Sequence, residues 1–170
     1  RPIKTVVVTG RSGFIGRNFI LPELGRGHTS VVNIDLLTYA AHPMNLTAIE
    51  SHPGYTFVRG DINDTELLSQ VLRKHRPQSV VNFAAESHVD RSIRGPADFI
   101  QTNILGTFHL LQAALRYWEE LPKSAGTAFR FLQISTDEVF GSLTPDDPPF
   151  SEESPFAPNS PYSASKASAD

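Results

Sequence analysis

Ile3-Lys4-Thr5-Val6-Val7-Val8-Thr9-Gly10-Arg11-Ser12-Gly13-Phe14-Ile15-Gly16 decides the fold. The β-branched run from Ile3 to Val8 shows no polar face, the mark of a strand buried on both sides of a parallel sheet. Phe14 to Leu24 reads as a helix, with Ile15, Phe19 and Ile20 at helical spacing, and Pro22 is expected to kink its last turn. Between them, Gly10, Gly13 and Gly16 permit a tight turn and close backbone approach, and the helix start offers free N–H groups to a pyrophosphate. The spacing is G-x-x-G-x-x-G rather than G-x-G-x-x-G, and alone it fits a plain strand–helix turn as well as a phosphate cradle. The residues downstream of Gly16 tip the balance toward the cradle.

Working outward, further strands are expected at Ser30–Ile34, Thr56–Val58, Ser79–Phe83 and Phe129–Ser135, with helices around Asp64–His75 and Pro96–Trp118. Thr144–Pro161, rich in proline, serine and acidic residues, reads as an ordered loop. No repeat interrupts the alternation. Strand–helix alternation of this kind predicts an α/β, Rossmann-type doubly wound parallel sheet of at least five strands with right-handed crossovers.

Composition narrows the function classes. A net charge of -3, with 39% hydrophobic and 19% charged residues, gives no reason to expect nucleic acid or an anionic membrane as partner. No apolar run approaches the ~20 residues that span a bilayer, and no signal-peptide pattern opens the chain. Zero cysteines exclude disulfides and thiolate chemistry, and the expected location is the cytoplasm. The six histidines show no ligand spacing, so no metal is expected and they read as surface or structural groups. The first residue is Arg rather than Met, which implies an upstream start.

Several side chains carry chemistry. Asp35 ends the second strand, where a carboxylate can accept bonds from both hydroxyls of an adenosine ribose and would repel a 2′-phosphate. NAD is therefore favoured over NADP, with Arg11 as the one opposing hint. Asp61 and Ile62, after the third strand, would sit beside the adenine; alternatively Asp61 caps the helix whose apolar face is Leu67, Leu68 and Val71. Tyr162 and Lys166 share a helical face, so Lys166 can reach the cofactor ribose while lowering the pKa of a phenol otherwise too weak a base near neutrality. Asp137 and Glu138 come directly after the fifth strand. They read either as a helix N-terminal acidic pair or as an acid and a base for an elimination.

These motifs, extended by Leu37-Thr38-Tyr39-Ala40, Gly60-Asp61-Ile62, Phe83-Ala84-Ala85-Glu86-Ser87-His88-Val89-Asp90-Arg91-Ser92, Thr102-Asn103, Ser135-Thr136-Asp137-Glu138-Val139-Phe140-Gly141 and Tyr162-Ser163-Ala164-Ser165-Lys166, resemble the N-terminal half of the dTDP-glucose 4,6-dehydratases. These are extended short-chain dehydrogenases/reductases acting on nucleotide sugars. Related epimerases share the cradle and the Tyr/Lys pair but lack Asp-Glu, and GDP-mannose dehydratases usually show Thr-Ser-Glu at Thr136-Asp137-Glu138. The resemblance implies that Tyr162 takes the 4-hydroxyl proton while NAD accepts hydride from carbon 4. Lys166 holds the nicotinamide ribose, and Thr136 hydrogen-bonds near the reacting oxygen. Glu138 then removes the carbon 5 proton, Asp137 protonates the departing 6-hydroxyl, and the hydride returns to carbon 6.

The implied cofactor shell is Gly10, Gly13, Phe14, Ile15, Gly16, Asp35, Leu36, Leu37, Thr38, Asp61, Ile62, Phe83, Ala84, Ala85, Ser87, Thr102, Tyr162 and Lys166, with Ser87 and Thr136 also near the substrate. Residues 1–170 are then an incomplete NAD-binding domain, and the last strands and the small substrate domain are expected beyond Asp170. The alternatives are a nucleotide-sugar 4-epimerase or decarboxylase, or an inactive NAD-binding fragment. Arg11-Ser12 departs from the family's Gly-Gly-Ala-Gly loop. Finally, Pro96–Trp118 carries one apolar stripe at Ile100, Ile104, Leu111, Leu115 and Trp118 and a second through Phe99, Phe108 and Leu110. One stripe is needed to cover the sheet; the second is either buried as well or, as the resemblance also implies, meets its twin beside the Tyr162–Lys166 helix, and a homodimer is expected.

Overall fold

The structure is a computed structural model and describes residues 4–10, 14–37 and 49–170. Five parallel strands, β1 (Lys4–Thr9), β2 (Thr29–Asp35), β3 (Tyr55–Arg59), β4 (Ser79–Asn82) and β5 (Arg130–Gln133), form one sheet in the order β3-β2-β1-β4-β5. The chain runs outward from β1 to β3 and then returns to the other side of β1. That reversal creates a switch point between β1 and β4, with a crevice at the carboxyl ends of the strands. Ile3, where the first strand was expected to begin, lies outside the described residues.

The helices explain why the sheet is apolar on both faces. Successive strand residues point to opposite sides, so Val7, Val32, Ile34 and Val80 pack with Leu68 and Leu72 of α2 (Thr65–His75). Val8 and Val31 pack on the other side with Ile20 and Leu24 of α1 (Phe14–Gly25). Pro22 is accommodated inside α1, which continues to Gly25 and closes with Arg26 N donating to Pro22 O at 3.1 Å. Asp64 caps α2 by accepting from Leu67 N at 3.0 Å, and Arg76 ends it in the left-handed region at φ 46°.

The helix expected over Pro96–Trp118 is composite. After α3 (Val89–Arg94) come α4 (Ala97–Phe99), a π-helical segment (Ile100–Gly106) and α5 (Thr107–Glu119), and then α6 (Lys123–Ala128). Its two stripes divide differently from the sequence expectation. Phe99 and Leu110 are buried, with Leu110 in the sheet-covering core, while Phe108 lies exposed with Ile100, Leu111, Leu115 and Trp118. The reason is phase: Phe99, Asn103, Gly106 and Leu110 are buried positions of this run, and Phe108 falls between them. A 3-10 helix over Asp137–Phe140 and α7 (Pro161–Ala169) come after β5.

Candidate active site

One cleft crosses the switch point. Every strand contributes residues from its carboxyl end: Gly10; Asp35 and Leu36; Gly60, Asp61 and Ile62; Phe83 to Ser87; Ile134 and Ser135. Phe14, Ile15 and Gly16 of α1, Thr102 of the π-helical segment, and Tyr162 and Lys166 of α7 complete it. The cleft therefore gathers most of the expected cofactor shell. It also holds Glu86, within the expected Phe83–Ser87 stretch, and adds Ile34, Gly60, Ile134 and Ser135, which sequence reasoning did not single out as cofactor contacts. Leu37 does not line it. Gly13 and Thr38, with Arg11 and Ser12, lie outside the described residues.

At one end the backbone does the shaping. Gly10 sits at φ +69°, and a Cβ there would fall 2.4 Å from the Cα and N of Ala84. The loop after β1 and the loop after β4 thus touch backbone to backbone, which only glycine allows. Beneath them runs a buried polar chain. Thr9 Oγ1 bonds Asn82 Oδ1, Ala84 N donates to both oxygens at 3.3 and 3.2 Å, and Asn82 Nδ2 reaches Gln133 Oε1 at 2.8 Å. Asp35 is buried at the end of β2 and accepts from Leu37 N at 2.8 Å, with Leu37 held at φ 57°. Asp61 is not the cap of α2, since Asp64 fills that role; its Oδ1 instead accepts from Asn63 N at 2.8 Å and closes a tight local turn. Phe14 and Ile15 stand exposed at the mouth, 82% and 63% accessible.

At the other end side chains set the geometry. Ser160 and Ser163 form a reciprocal capping box at the start of α7, each backbone N donating to the other's hydroxyl at 3.0 Å, with Pro161 at the first helical position. That fixes the turn bearing Tyr162, whose own N donates to the buried Ser92 Oγ at 3.1 Å. Lys166 is buried and donates from Nζ to Ile134 O at 2.5 Å.

The titration shifts correct one expectation. The sequence reading has Lys166 lowering the Tyr162 pKa. Here the phenol is pushed above its ordinary value, first by burial, then by the charge of Glu138 and to a smaller degree of Asp137; a hydrogen bond with Thr136 opposes them. Lys166, whose ammonium donates to the Ile134 carbonyl, is not among the groups that act on the phenol here. Burial in turn lowers the Lys166 pKa, with Asp170 partly offsetting it. Thr136, Asp137 and Glu138 therefore gather around the Tyr162 hydroxyl rather than along the first cleft, and Thr136 and Asp137 line an adjoining groove with Phe140, Glu152 and Phe156. Asp137 and Glu138 also open the 3-10 helix, whose cap Thr136 accepts from Glu138 N at 3.3 Å. The acidic-pair and acid/base readings of Asp137 and Glu138 are compatible.

Sequence reasoning missed the pins that hold this end together. Asn103, fully buried on the π-helical segment, accepts from Glu86 N at 2.8 Å and donates to Glu86 O at 2.9 Å and Ser165 Oγ at 2.8 Å. It ties the loop after β4 to α7. Its signal was an amide at a core-facing position between Phe99 and Leu110. Ser92 gave no signal of its own.

Comparison with known proteins completes the picture. Residues 7–170 match the family described as GDP-mannose 4,6 dehydratase. The chain belongs to that family. It is 54% identical to a dTDP-glucose 4,6-dehydratase of Xanthomonas campestris pv. campestris over 166 residues, 98% of this chain and 47% of the relative. A dTDP-glucose 4,6-dehydratase of Streptomyces venezuelae, solved with NAD bound, is 42% identical with a TM-score of 0.85, over 97% of this chain and 49% of that one. A UDP-glucose 4-epimerase of Thermus thermophilus in complex with NAD is 30% identical with a TM-score of 0.80, over 97% of this chain and 48% of that one. The chain spans about half the length of the curated relatives it matches. Among the described residues no helix is long and apolar enough to cross a membrane.

Proposed function

We propose that residues 1–170 are the NAD-binding part of a nucleotide-sugar 4,6-dehydratase, a lyase acting on dTDP-glucose. The carrying observation is that Tyr162 and Lys166 line a switch-point cleft, while Tyr162 hydrogen-bonds Thr136 and feels the charges of Glu138 and Asp137 from the adjoining groove. Phe14, Ile15 and Gly16 at the start of α1, Asp35 at the end of β2, and Tyr162 with Lys166 all line the cleft, which supports a bound dinucleotide. NAD bound there would supply the acceptor for the carbon 4 hydride and return it at carbon 6. Tyr162 takes the 4-hydroxyl proton, aided by the Thr136 hydroxyl, and the buried Lys166 orients the ribose and steadies Ile134. Glu138 removes the carbon 5 proton, which the new ketone acidifies, and Asp137 donates a proton to the 6-hydroxyl as it leaves as water.

Asp137 next to Glu138 favours this reaction over a 4-epimerase or decarboxylase, and over the Thr-Ser-Glu pattern of GDP-mannose dehydratases. The test is the product. The full-length protein given dTDP-glucose should form a 4-keto-6-deoxy sugar, which absorbs in alkali; an epimer in its place would overturn the reading. The exposed stripe of Ile100, Phe108, Leu111, Leu115 and Trp118 supports a homodimer, and a monomer mass by light scattering at micromolar concentration would contradict it. The absence of cysteine supports a cytoplasmic site of action; recovery of the protein outside the cytosol on fractionation would overturn that.

A further inference from the structure

Asp61 does not face the cleft by itself. Asn63 N and Asn63 Nδ2 both donate to Asp61 Oδ1, at 2.8 and 3.1 Å. Asn63 Nδ2 also donates to Gln101 O of the π-helical segment at 3.2 Å, and Asn63 Oδ1 lies 3.1 Å from His109 Nδ1 of α5. The amide orientation is set by its partners. Two acceptors, Asp61 Oδ1 and Gln101 O, take the NH2 side, so the carbonyl side faces His109, which must donate through its Nδ1–H. The chain runs His109 to Asn63 to Asp61 in one direction. It engages Oδ1 of Asp61, a residue that lines the cleft, and among the described residues Oδ2 takes no hydrogen bond.

Packing holds the same loop in place. A Cβ on Gly106 would fall 2.5 Å from Ile62 Cδ1, so the π-helical segment presents a glycine where Ile62 must seat. Three successive residues, Asp61, Ile62 and Asn63, are thus fixed from a single helical run, and the first two line the cleft.

We propose that Asn63 and His109 are positioning residues for base recognition, locking the Asp61 carboxylate so that this end of the cleft selects a purine bearing a 6-amino group. The inference rests on the dinucleotide reading of the cleft. With the acid/base cluster at Tyr162 and the α1 N-terminus between, the base falls at the Asp35 and Asp61 end. There a carboxylate oxygen can accept a hydrogen bond from an amino group but repels a 6-oxo group. A carboxylate left free to rotate would lose that preference, because it could turn away from the oxo group at no cost.

The experiment uses the full-length protein and two ligands: NAD, and the same dinucleotide with hypoxanthine in place of adenine. Calorimetry should give wild type a preference for NAD of about tenfold or more, the worth of one charge-assisted hydrogen bond. Asn63→Ala should bring the two affinities within about twofold. His109→Phe, which keeps an aromatic ring but no donor, should lower the preference about threefold. His109→Asn, whose amide can donate near the Nδ1 position, should restore it. A wild-type preference retained in Asn63→Ala, or in His109→Phe if the first variant does not fold, overturns the proposal while leaving the cofactor assignment intact. Binding of neither dinucleotide by wild type overturns both.

Discussion

The two ends of the cleft are built by different means. At the Asp35 end the fold itself sets the geometry: fully buried β1 and β2 residues, and a glycine contact that brings two loops together backbone to backbone. At the Tyr162 end, Asp137 and Glu138 open a short 3-10 helix after β5. There a few buried polar side chains, Asn103, Ser92 and Ser163, and one buried lysine hold the parts in register. The Asp35 end, proposed to bind the cofactor, is a product of strand order and backbone conformation. The Tyr162 end, proposed to do the chemistry, depends on individual hydrogen bonds and carries a buried ammonium.

That contrast can be broken at several points. The largest effect is expected at Gly10. Gly10→Val places a branched side chain at positive φ against Ala84 and should cost on the order of 3 kcal/mol or more by denaturant unfolding. Gly25→Ala, with nothing near its Cβ, should be neutral or slightly stabilising. Next comes Asn103→Leu, which removes a buried amide's hydrogen bonds to Glu86 N, Glu86 O and Ser165 Oγ and should cost about 2–4 kcal/mol. In the full-length enzyme it should lower kcat more than it weakens NAD binding, since Ser165 and α7 lose their pin. Smaller still, Asp35→Ala should lower the preference for NAD over NADP by about tenfold with little change in unfolding midpoint. Tighter binding of NADP by wild type would remove the ribose assignment.

The smallest effect sharpens the comparison through pH. The Lys166 pKa lies below its ordinary 10.5 in the folded protein, so the unfolded chain binds the extra proton across that window. Stability should therefore rise with pH between the lowered value and the ordinary one, and Lys166→Met should lose that slope. Unfolding midpoints of both proteins, measured across mildly alkaline pH, check the sign.

Sequence made the binding end legible because a buried parallel strand, a glycine turn and a strand-ending carboxylate each leave a local pattern. Five strands and their neighbours can be read from such patterns. The chemical end was readable only as a set of residues, Tyr162, Lys166, Asp137 and Glu138, and not as an arrangement. The side to which Lys166 Nζ turns is decided by the Ile134 carbonyl, and no spacing encodes that. The π-helical segment was hidden for a similar reason. Ile100–Gly106 has ordinary helical composition, and its wide turn goes with Gly106 seating Ile62 and Gln101 O accepting from Asn63, contacts distant in sequence. The phase of Phe108 went astray through the same segment. Asp61 was ambiguous between cap and ligand until Asp64 took the cap.

The most direct test of the division of labour at the chemical end is a single turnover of the full-length enzyme with dTDP-glucose, watched through the absorbance of reduced nicotinamide. Glu138→Gln should accumulate reduced cofactor and release little 4-keto-6-deoxy product, because oxidation assisted by Tyr162 precedes elimination. Tyr162→Phe should show no reduced cofactor at all. Equal loss of both steps in Glu138→Gln would contradict the assignment of separate roles.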